Sequence, residues 1–175
     1  MYNIYFCSDH HFGHANLYEK FKLEDGSPAR AFASADEADA AMIDRHNSVV
    51  KPNDRVYFVG DVCFHKKHLH KVGFMNGRKV LIKGNHDLLD AKDYLLYFDD
   101  IRGVHQFKGI VITHIPVHEE SLGRWGFNVH GHLHTNLVKK NNQPDPRYLN
   151  VSMEQINYTP IAFEEVLAYK PKEIK

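Results

Sequence analysis

Aspartate and histidine residues follow apolar segments of this chain at spacings that suit metal binding. Asp9 and His11 are separated by one residue, and so are His132 and His134. In an extended segment alternate side chains point to the same face, so each pair is expected to hold one metal ion. Carboxylate, amide and imidazole donors together suit borderline divalent ions such as Mn, Fe or Zn. An all-oxygen Ca or Mg site is not expected.

Three other apolar segments also end in polar residues, at Asp61, at Asn85 with His86, and at His114. A lone Asn-His-Asp sequence usually forms a turn, and a lone histidine near a strand end is usually structural. Five such features in one chain favour a shared site, because ligands bind outside the carboxyl ends of strands in open α/β sheets. The glycines that precede Asp61, Asn85 and His132 are expected to let the backbone turn sharply or approach closely.

Strands and helices are predicted to position these residues. The predicted strands are 3–8, 55–62, 79–85, 109–116, 127–134 and 148–153, with 103–107 as a partner of 109–116. The predicted helices are 34–50, 66–76, 87–98 and 162–169, with a polar loop over 12–33. Ser34 and Glu37 have the spacing of a capping box. Strands alternate with helices early and cluster late, which indicates an α/β fold with helices outside the sheets. We expect residues 1–175 to form a single domain.

Charge and composition exclude several classes of function. Lys+Arg and Asp+Glu both total 22, so the net charge is zero and there is no electrostatic case for wholesale binding to nucleic acid or an anionic membrane. The apolar runs have the length of strands and do not span a bilayer. The chain starts without the pattern of a signal peptide, and its two cysteines are widely spaced. A cytoplasmic protein with reduced thiols is therefore expected.

The polar motifs resemble those of one superfamily. Asp9-x-His11, Gly60-Asp61, Gly84-Asn85-His86-Asp87, His114 and Gly131-His132-x-His134 occur in the order found in the calcineurin-like metallophosphoesterases. The resemblance covers residues 3 to about 153. It implies a two-sheet β-sandwich flanked by helices, with four α/β/β/α layers.

The resemblance also implies a role for each motif residue in a dinuclear metal centre. One ion would be held by Asp9, His11 and His134, and the second by Asn85, His114 and His132. Asp61 would bridge the two ions, whose preferred identity for activity in vitro would be Mn. The nucleophile would be a hydroxide held by both ions, and His86 would donate a proton to the leaving group.

The second motif departs from that of the protein Ser/Thr phosphatases in this superfamily. Those enzymes resemble Gly-Asp-x-x-Asp-Arg-Gly, whereas Phe64 stands here at the second Asp and His65 at the Arg. The orienting carboxylate and the guanidinium that binds phosphate are missing at those positions. We therefore do not expect a phosphoprotein phosphatase, and the chain is more similar to the small bacterial and phage phosphoesterases.

Five further residues are candidates for contact with the substrate. They are His14, Asn16, His65, Arg124 and Trp125. The first two follow the first ligands and would touch substrate or order their loop, and His65 could equally be a surface residue at a helix start. Arg124 and Trp125 precede the last ligand strand, as a phosphate clamp and a stacking wall, with plain packing the alternative for the tryptophan.

The expected function is hydrolysis of a phosphate ester by a metal-dependent hydrolase. A small phosphodiester, possibly nucleotide-derived, is favoured because the phosphatase arginine is missing and no cap domain is evident. The alternatives are a phosphomonoesterase, a nucleoside-polyphosphate hydrolase, and a metal sensor or carrier. Another alternative is a protein-interaction scaffold, as in the retromer subunit of the superfamily, which lacks the catalytic histidine. The expected partner is a small phosphate ester, with nucleic acid disfavoured by the zero net charge and no membrane.

Overall fold

The computed structural model describes residues 2–23 and 25–171. Its α-helices are α1 (Asn16–Glu19), α2 (Ala35–Val49), α3 (Lys66–Leu69), α4 (Ala91–Tyr94) and α5 (Phe163–Tyr169). Short 3₁₀ segments lie at His70–Phe74 and Glu119–Leu122. The strands are β1 (Ile4–Cys7), β2 (Arg55–Phe58), β3 (Arg78–Ile82), β4 (Asp100–Arg102), β5 (Val104–Phe107), β6 (Ile110–Thr113), β7 (Asn128–His130), β8 (Lys139–Lys140), β9 (Gln143–Pro144), β10 (Tyr148–Asn150) and β11 (Ile161–Ala162).

Two main sheets flanked by helices form the fold, which confirms the predicted class. The first sheet has the order β11-β1-β2-β3-β4, in which β1 to β4 are parallel and β11 is antiparallel to β1. The second has the order β10-β7-β6-β5, in which β6, β7 and β10 are parallel. Because the strands within each parallel set run the same way, their carboxyl ends meet at one edge of each sheet.

Alternating residues of the first sheet pack on opposite sides. On β2, Val56 and Phe58 belong to the apolar cluster that includes Met42 of α2, whereas Tyr57 packs with the second sheet. A strand whose two faces are both covered reads as a continuous apolar run, as "RVYFV" does. The first sheet is therefore covered by apolar side chains on both faces beneath the strand ends.

Helix α2 begins where the capping pattern predicts. The Oγ of Ser34 accepts a hydrogen bond from the backbone N–H of Glu37 at 3.2 Å, while the Glu37 carboxylate accepts one from the N–H of Ala33 at 2.8 Å. The reciprocal bond thus reaches one residue further back than in the usual capping box. The strand prediction for 103–107 is also confirmed, since β5 pairs antiparallel with β6.

Several predicted elements are longer than the observed ones, and two of them differ most. Residues 87–98 contain only the single turn α4, and Leu88 and Leu96 are 79% and 71% exposed. Asp87 is buried and accepts backbone N–H groups, so the turn after β3 continues where a helix was predicted. The strand predicted at 127–134 ends at His130, because the backbone of the following ligands is not extended.

None of the helices in the described ranges is long and apolar enough to cross a membrane. Cys7 and Cys63 are both buried and free.

A candidate dinuclear metal centre

Five of the seven predicted ligands adopt a left-handed backbone conformation, which is rare for residues with a side chain. The φ angles are +60° at Asp9, +49° at His11, +55° at Asp61, +70° at His132 and +50° at His134. The prediction that the i, i+2 pairs lie in extended segments is therefore wrong. Residues held in this region cost of order 1–3 kcal/mol each and cluster at functional sites.

The first group of side chains that can hold a metal contains Asp9, His11 and His134. The Nε2 atoms of His11 and His134 lie 3.8 and 3.9 Å from Oδ1 of Asp9. Asp9 and His11 are buried, whereas the His134 side chain is 33% exposed. One carboxylate and two imidazoles thus face a common point at the edge of the first sheet.

The second group contains Asp61, His114 and His132. The Nε2 of His114 lies 3.3 Å from Oδ2 of Asp61 and 3.0 Å from Oδ1 of Asn85, which brings the amide to the same place. His132 and His134 fall in different groups, so the prediction from spacing that they hold the same ion is wrong. This division is the one that the resemblance implies.

The carboxylate of Asp61 lies between the two groups. Its Oδ2 is 3.7 Å from Nε2 of His11 in the first group and 3.3 Å from Nε2 of His114 in the second. Its Oδ1 accepts a hydrogen bond from the backbone N–H of His86 at 2.9 Å. Burial would raise the pKa of Asp61, but the hydrogen bond with His114 holds it below its usual value. This carboxylate can offer an oxygen to each of two ions.

Glycines are required where these loops approach one another. A Cβ on Gly84 would lie 2.2 Å from Oδ1 of Asp61, and one on Gly131 would lie 2.5 Å from Oδ2 of Asp9. Both distances are far inside van der Waals contact. The expectation that these glycines allow close approach is confirmed for the positions before Asn85 and His132.

A buried ion pair that sequence reasoning missed supports the first group. Glu154 Oε1 lies 3.1 Å from Nδ1 of His134 and accepts a hydrogen bond from Nε of Arg30 at 2.8 Å. Burial would raise the pKa of Glu154, but the charge of Arg30 and the His134 contact lower it to about 2. The carboxylate therefore stays ionised and turns the other nitrogen, Nε2, towards Asp9, as partners of metal-binding histidines commonly do.

Arg30 also fixes the loop that carries the first ligands. Its guanidinium is fully buried and donates hydrogen bonds to the backbone carbonyls of Asp9 and His10. Its position in a polar loop offered no pattern to single it out, and only the fold brings it to Glu154.

The imidazole of His114 is oriented by the backbone. Its Nδ1 lies 2.7 Å from the carbonyl oxygen of Val59 at the end of β2. Burial would lower the pKa of His114, but the hydrogen bond with Asp61 and the charge of Asp9 raise it. A ring with Nδ1 on a carbonyl presents Nε2 to the second group, where a carboxylate and an amide oxygen also converge.

Asp87 joins the second and third motif loops. Its buried carboxylate accepts hydrogen bonds from the backbone N–H groups of Asp61, Val62 and Gly84 at 2.8, 2.9 and 2.8 Å. Burial raises its pKa. The residue belongs to the quoted motif, but no role was predicted for it.

The two sheets meet beneath the site. Ser8 forms a parallel bridge with Ser152, whose Oγ donates a hydrogen bond to Oδ2 of Asp9 at 2.8 Å. The backbone N–H of His132 donates to the same oxygen at 2.9 Å. Both donors follow strands of the second sheet, which thereby holds the carboxylate that follows β1. The other oxygen, Oδ1, lies 3.2 Å from the same N–H of His132 and is the one closest to the two histidines of the first group.

A pocket of about 520 Å³ opens beside the first group. His86 and His14 line it together with His11 and His134. The ring of His86 lies 4.5 Å from that of Phe64 and 5.9 Å from that of His11. His86 is thus held close to the candidate ligands without belonging to either group.

The other predicted substrate residues lie apart from this pocket. Asn16 and the exposed His65 line a neighbouring depression, which shares His14 and Phe64 with the pocket. Arg124 is exposed and Trp125 half-buried after the second 3₁₀ segment, and neither lines the pocket. Of the five candidates, the structure brings His14 to the pocket beside the ligands.

Two neighbouring histidines have structural positions. His10 is buried and its ring stacks on that of Phe58 at 4.9 Å, and burial lowers its pKa well below the usual value. His130 is buried with Nδ1 at 2.8 Å from the carbonyl oxygen of Gly131. Neither belongs to the two groups of candidate ligands.

The donor set fits two divalent ions. Within each group of three, the ligand atoms lie within 4.8 Å of one another. The imidazoles of His114 and His134 have their other nitrogen on a carbonyl or carboxylate oxygen. Imidazole nitrogens that face buried carboxylate oxygens form a donor set that Mn, Fe and Zn accept.

Comparison with known proteins identifies relatives along almost the whole chain. The chain is 30% identical over 173 residues to the uncharacterized protein MJ1445 of Methanocaldococcus jannaschii, covering 95% of this chain and 90% of that protein. No model of a known protein family matches the chain.

Two solved structures are similar to the chain, and only the first of them bears on the fold. The AQ665 protein of Aquifex aeolicus, of unknown function, superposes with a TM-score of 0.71 at 24% identity, covering 96% of this chain and 99% of that one. An archaeal phosphodiesterase gives a TM-score of 0.48 at 16% identity over 85% of this chain and 82% of its own, which is too low to support an argument. The first likeness establishes the fold alone. On the sequence match, the chain belongs to the family of the Methanocaldococcus jannaschii protein MJ1445.

Proposed function

We propose that this protein is a metal-dependent phosphoesterase of the calcineurin-like superfamily, with two divalent ions in its active site. The observation that carries the proposal is the position of the Asp61 carboxylate between two groups of Asp and His side chains. A single ion site has no need of a second group around the same carboxylate. The order of the motifs in the sequence supports the same reaction.

The residues that would hold the ions are those predicted from the motifs. Asp9, His11 and His134 would hold one, Asn85, His114 and His132 the other, and Asp61 both. Two ions at such a centre supply Lewis-acid catalysis, by making a water more acidic and by neutralising charge on the phosphoryl group.

His86 is proposed as the proton donor to the leaving group. Its backbone N–H bonds to Asp61, which fixes the turn that presents the ring, and the ring packs on Phe64 at the wall of the pocket. From this position the imidazole would hold a proton facing the ester and give it to the leaving oxygen as the P–O bond breaks. The oxygen of a water molecule forms the new bond to phosphorus as the bond to the leaving oxygen breaks. The products are an alcohol and a phosphate, which for a diester is a phosphate monoester.

The substrate is proposed to be a small phosphate ester, with a diester favoured. Phe64 and His65 stand where phosphoprotein phosphatases have a carboxylate and a guanidinium, and Phe64 covers one wall of the pocket with an apolar ring. We expect Mn²⁺ to support activity in vitro.

The test is metal-dependent cleavage of simple esters. The chelated protein, with Mn²⁺ added back, would be assayed with bis-p-nitrophenyl phosphate and with p-nitrophenyl phosphate. Cleavage that requires metal is the expected result, and the ratio of the two rates chooses between diester and monoester. If two ions bind tightly but neither ester nor a nucleoside triphosphate is cleaved, the phosphoesterase proposal is wrong and a metal-binding scaffold or carrier takes its place.

A further inference from the structure

The pocket beside the first metal group has an apolar wall that the proposed reaction does not use. Five apolar side chains line it, namely Leu17, Phe21, Leu23, Ala29 and Phe64. Phe21 is 51% exposed and Leu23 is 37% exposed, although both lie against the pocket. Large apolar side chains left open beside a candidate active site indicate a ligand group that covers them.

The wall is built by local structure in the segment between α1 and Arg30. Lys22 and Pro28 form an antiparallel bridge, and the backbone N–H of Ala29 donates to the carbonyl of Phe21 at 3.0 Å. Phe21 and Leu23 line the pocket, whereas Lys22 between them is exposed and does not line it. This segment therefore presents two apolar side chains to the pocket and keeps its lysine away from it.

Phe64 connects this wall to the catalytic groups. The centre of its ring lies 4.5 Å from the ring centre of His14, 4.5 Å from that of His86 and 5.2 Å from that of His11. His14 in turn contacts Phe21 edge-on at 6.1 Å. A continuous aromatic surface thus runs from the proposed proton donor to the far wall.

The charge of the lining selects against a second anionic group. Among the described residues that line the pocket there is no lysine or arginine. The acidic side chain among these lining residues is that of Glu154, and its carboxylate is already paired with Arg30 and His134. A nucleoside polyphosphate would place further phosphates where no cation receives them.

We propose that this pocket binds an uncharged, ring-sized apolar group carried by the phosphate ester, and that Phe21, Leu23 and Phe64 determine this specificity. The inference rests on the proposed function for the position of the phosphate, which the ions would hold beside His11 and His134. The apolar group lies on the side of His86, where the leaving alcohol receives its proton. An aryl ring and a cycloalkyl ring share the required chemistry.

Binding of phosphonates tests the pocket without turnover. Dissociation constants for methylphosphonate, phenylphosphonate, cyclohexylphosphonate and phosphonoacetate would be measured by calorimetry with the Mn²⁺-loaded protein. The two ring compounds are expected to bind about tenfold tighter than methylphosphonate, as burial of a ring in an apolar pocket predicts. Phosphonoacetate, which adds a negative charge, is expected to gain nothing. A preference for phenyl alone supports the proposal and narrows it to flat rings.

Variants separate the pocket from general effects. Phe21→Ser and Leu23→Ser are each expected to reduce the preference for the ring compounds by roughly threefold. Phe74→Ser is the matched control, since Phe74 is 65% exposed and lies outside the pocket lining, and it should leave the preference unchanged. Equal binding of all four phosphonates, no measurable binding, or tightest binding of phosphonoacetate would overturn the proposal.

The same preparation would be assayed on bis-p-nitrophenyl phosphate. Wild-type protein that cleaves this ester but shows no preference for ring phosphonates disproves the apolar pocket and keeps the phosphoesterase. Protein that prefers ring phosphonates, with loss of the preference in Phe21→Ser, but cleaves neither this ester, p-nitrophenyl phosphate nor a nucleoside triphosphate keeps the pocket and disproves the proposed reaction.

Discussion

The two groups of candidate ligands differ in what holds their imidazoles. In the first group, His134 rests on the carboxylate of Glu154, which is itself paired with the buried Arg30. In the second group, His114 rests on the backbone carbonyl of Val59. One support is a charged side chain that a substitution can remove, and the other belongs to the end of a strand. Metal binding at the first group could therefore be weakened by substitution of one side chain. Metal binding at the second group depends on the backbone of the sheet.

The largest effect is expected where the two groups meet. Asp61→Ala removes the carboxylate that lies within 4 Å of a histidine from each group. We expect both ions to bind weakly and metal-dependent cleavage to fall below detection, as measured by calorimetry and by initial rates. Asp44→Ala, at an exposed position in the middle of α2, is the control. An Asp61→Ala protein that still binds two ions would contradict a shared carboxylate.

His86→Ala separates proton donation from metal binding. The ring belongs to neither ligand group, so both ions should stay bound. Turnover should fall by about 10²–10⁴-fold, the usual contribution of a general acid. The measurement is the rate of ester cleavage at saturating Mn²⁺ together with the number of ions bound. Full activity on an ester with a poor leaving group would show that His86 does not donate the proton.

Asp87→Ala tests how much the buried carboxylate of Asp87 stabilises the loops that carry Asp61 and Asn85. Three backbone N–H groups of the motif loops would lose their buried acceptor. Because an unsatisfied buried donor costs about 1–3 kcal/mol, the free energy of unfolding should fall by roughly 3 kcal/mol or more. Urea denaturation measures the change, with Asp44→Ala again as the control. A change below about 1 kcal/mol would mean that water replaces the carboxylate.

Glu154→Gln should weaken metal binding at the first group and leave it unchanged at the second. The variant keeps an oxygen near His134 but loses the charge that faces Arg30. Loss of such a supporting partner typically weakens metal binding about 10–100-fold, so one ion should bind less tightly while the other keeps its affinity. Calorimetry on folded protein, with the exposed Glu120→Gln as control, resolves the two affinities. Equal weakening of both ions would show that the groups are not separately supported.

Much of the fold follows from local patterns. The buried runs at β1, β2, β3 and β6 alternate or continue in the manner of covered strands, and Ser34 begins α2 as its spacing predicts. The failure at 87–98 has a physical cause. The apolar residues there have helical spacing, but the buried bonds of Asp87 keep the chain in a turn, and a tertiary contact outweighs local propensity.

The resemblance predicted both the residues of the candidate site and their division into two groups, whereas spacing alone did not. Spacing suggested that His132 and His134 act as a pair, yet the structure places them in different groups, as the resemblance implies. Arg30 and Glu154 were missed because they are 124 residues apart and meet only in the fold. Glu154 comes directly after the predicted strand 148–153. This position is the signal that would have suggested it, since the ends of the other predicted strands carry candidate ligands.

The measurement that tests the central claim most directly is the electron paramagnetic resonance spectrum of the Mn²⁺-loaded protein, with bound Mn²⁺ counted on the same sample. Two ions that share the Asp61 carboxylate are magnetically coupled, so the account predicts two Mn²⁺ per chain and the multiline spectrum of a coupled pair in the wild type. Asp61→Ala should lose that spectrum. A single six-line spectrum from one isolated Mn²⁺ per chain in the wild type would contradict the dinuclear centre.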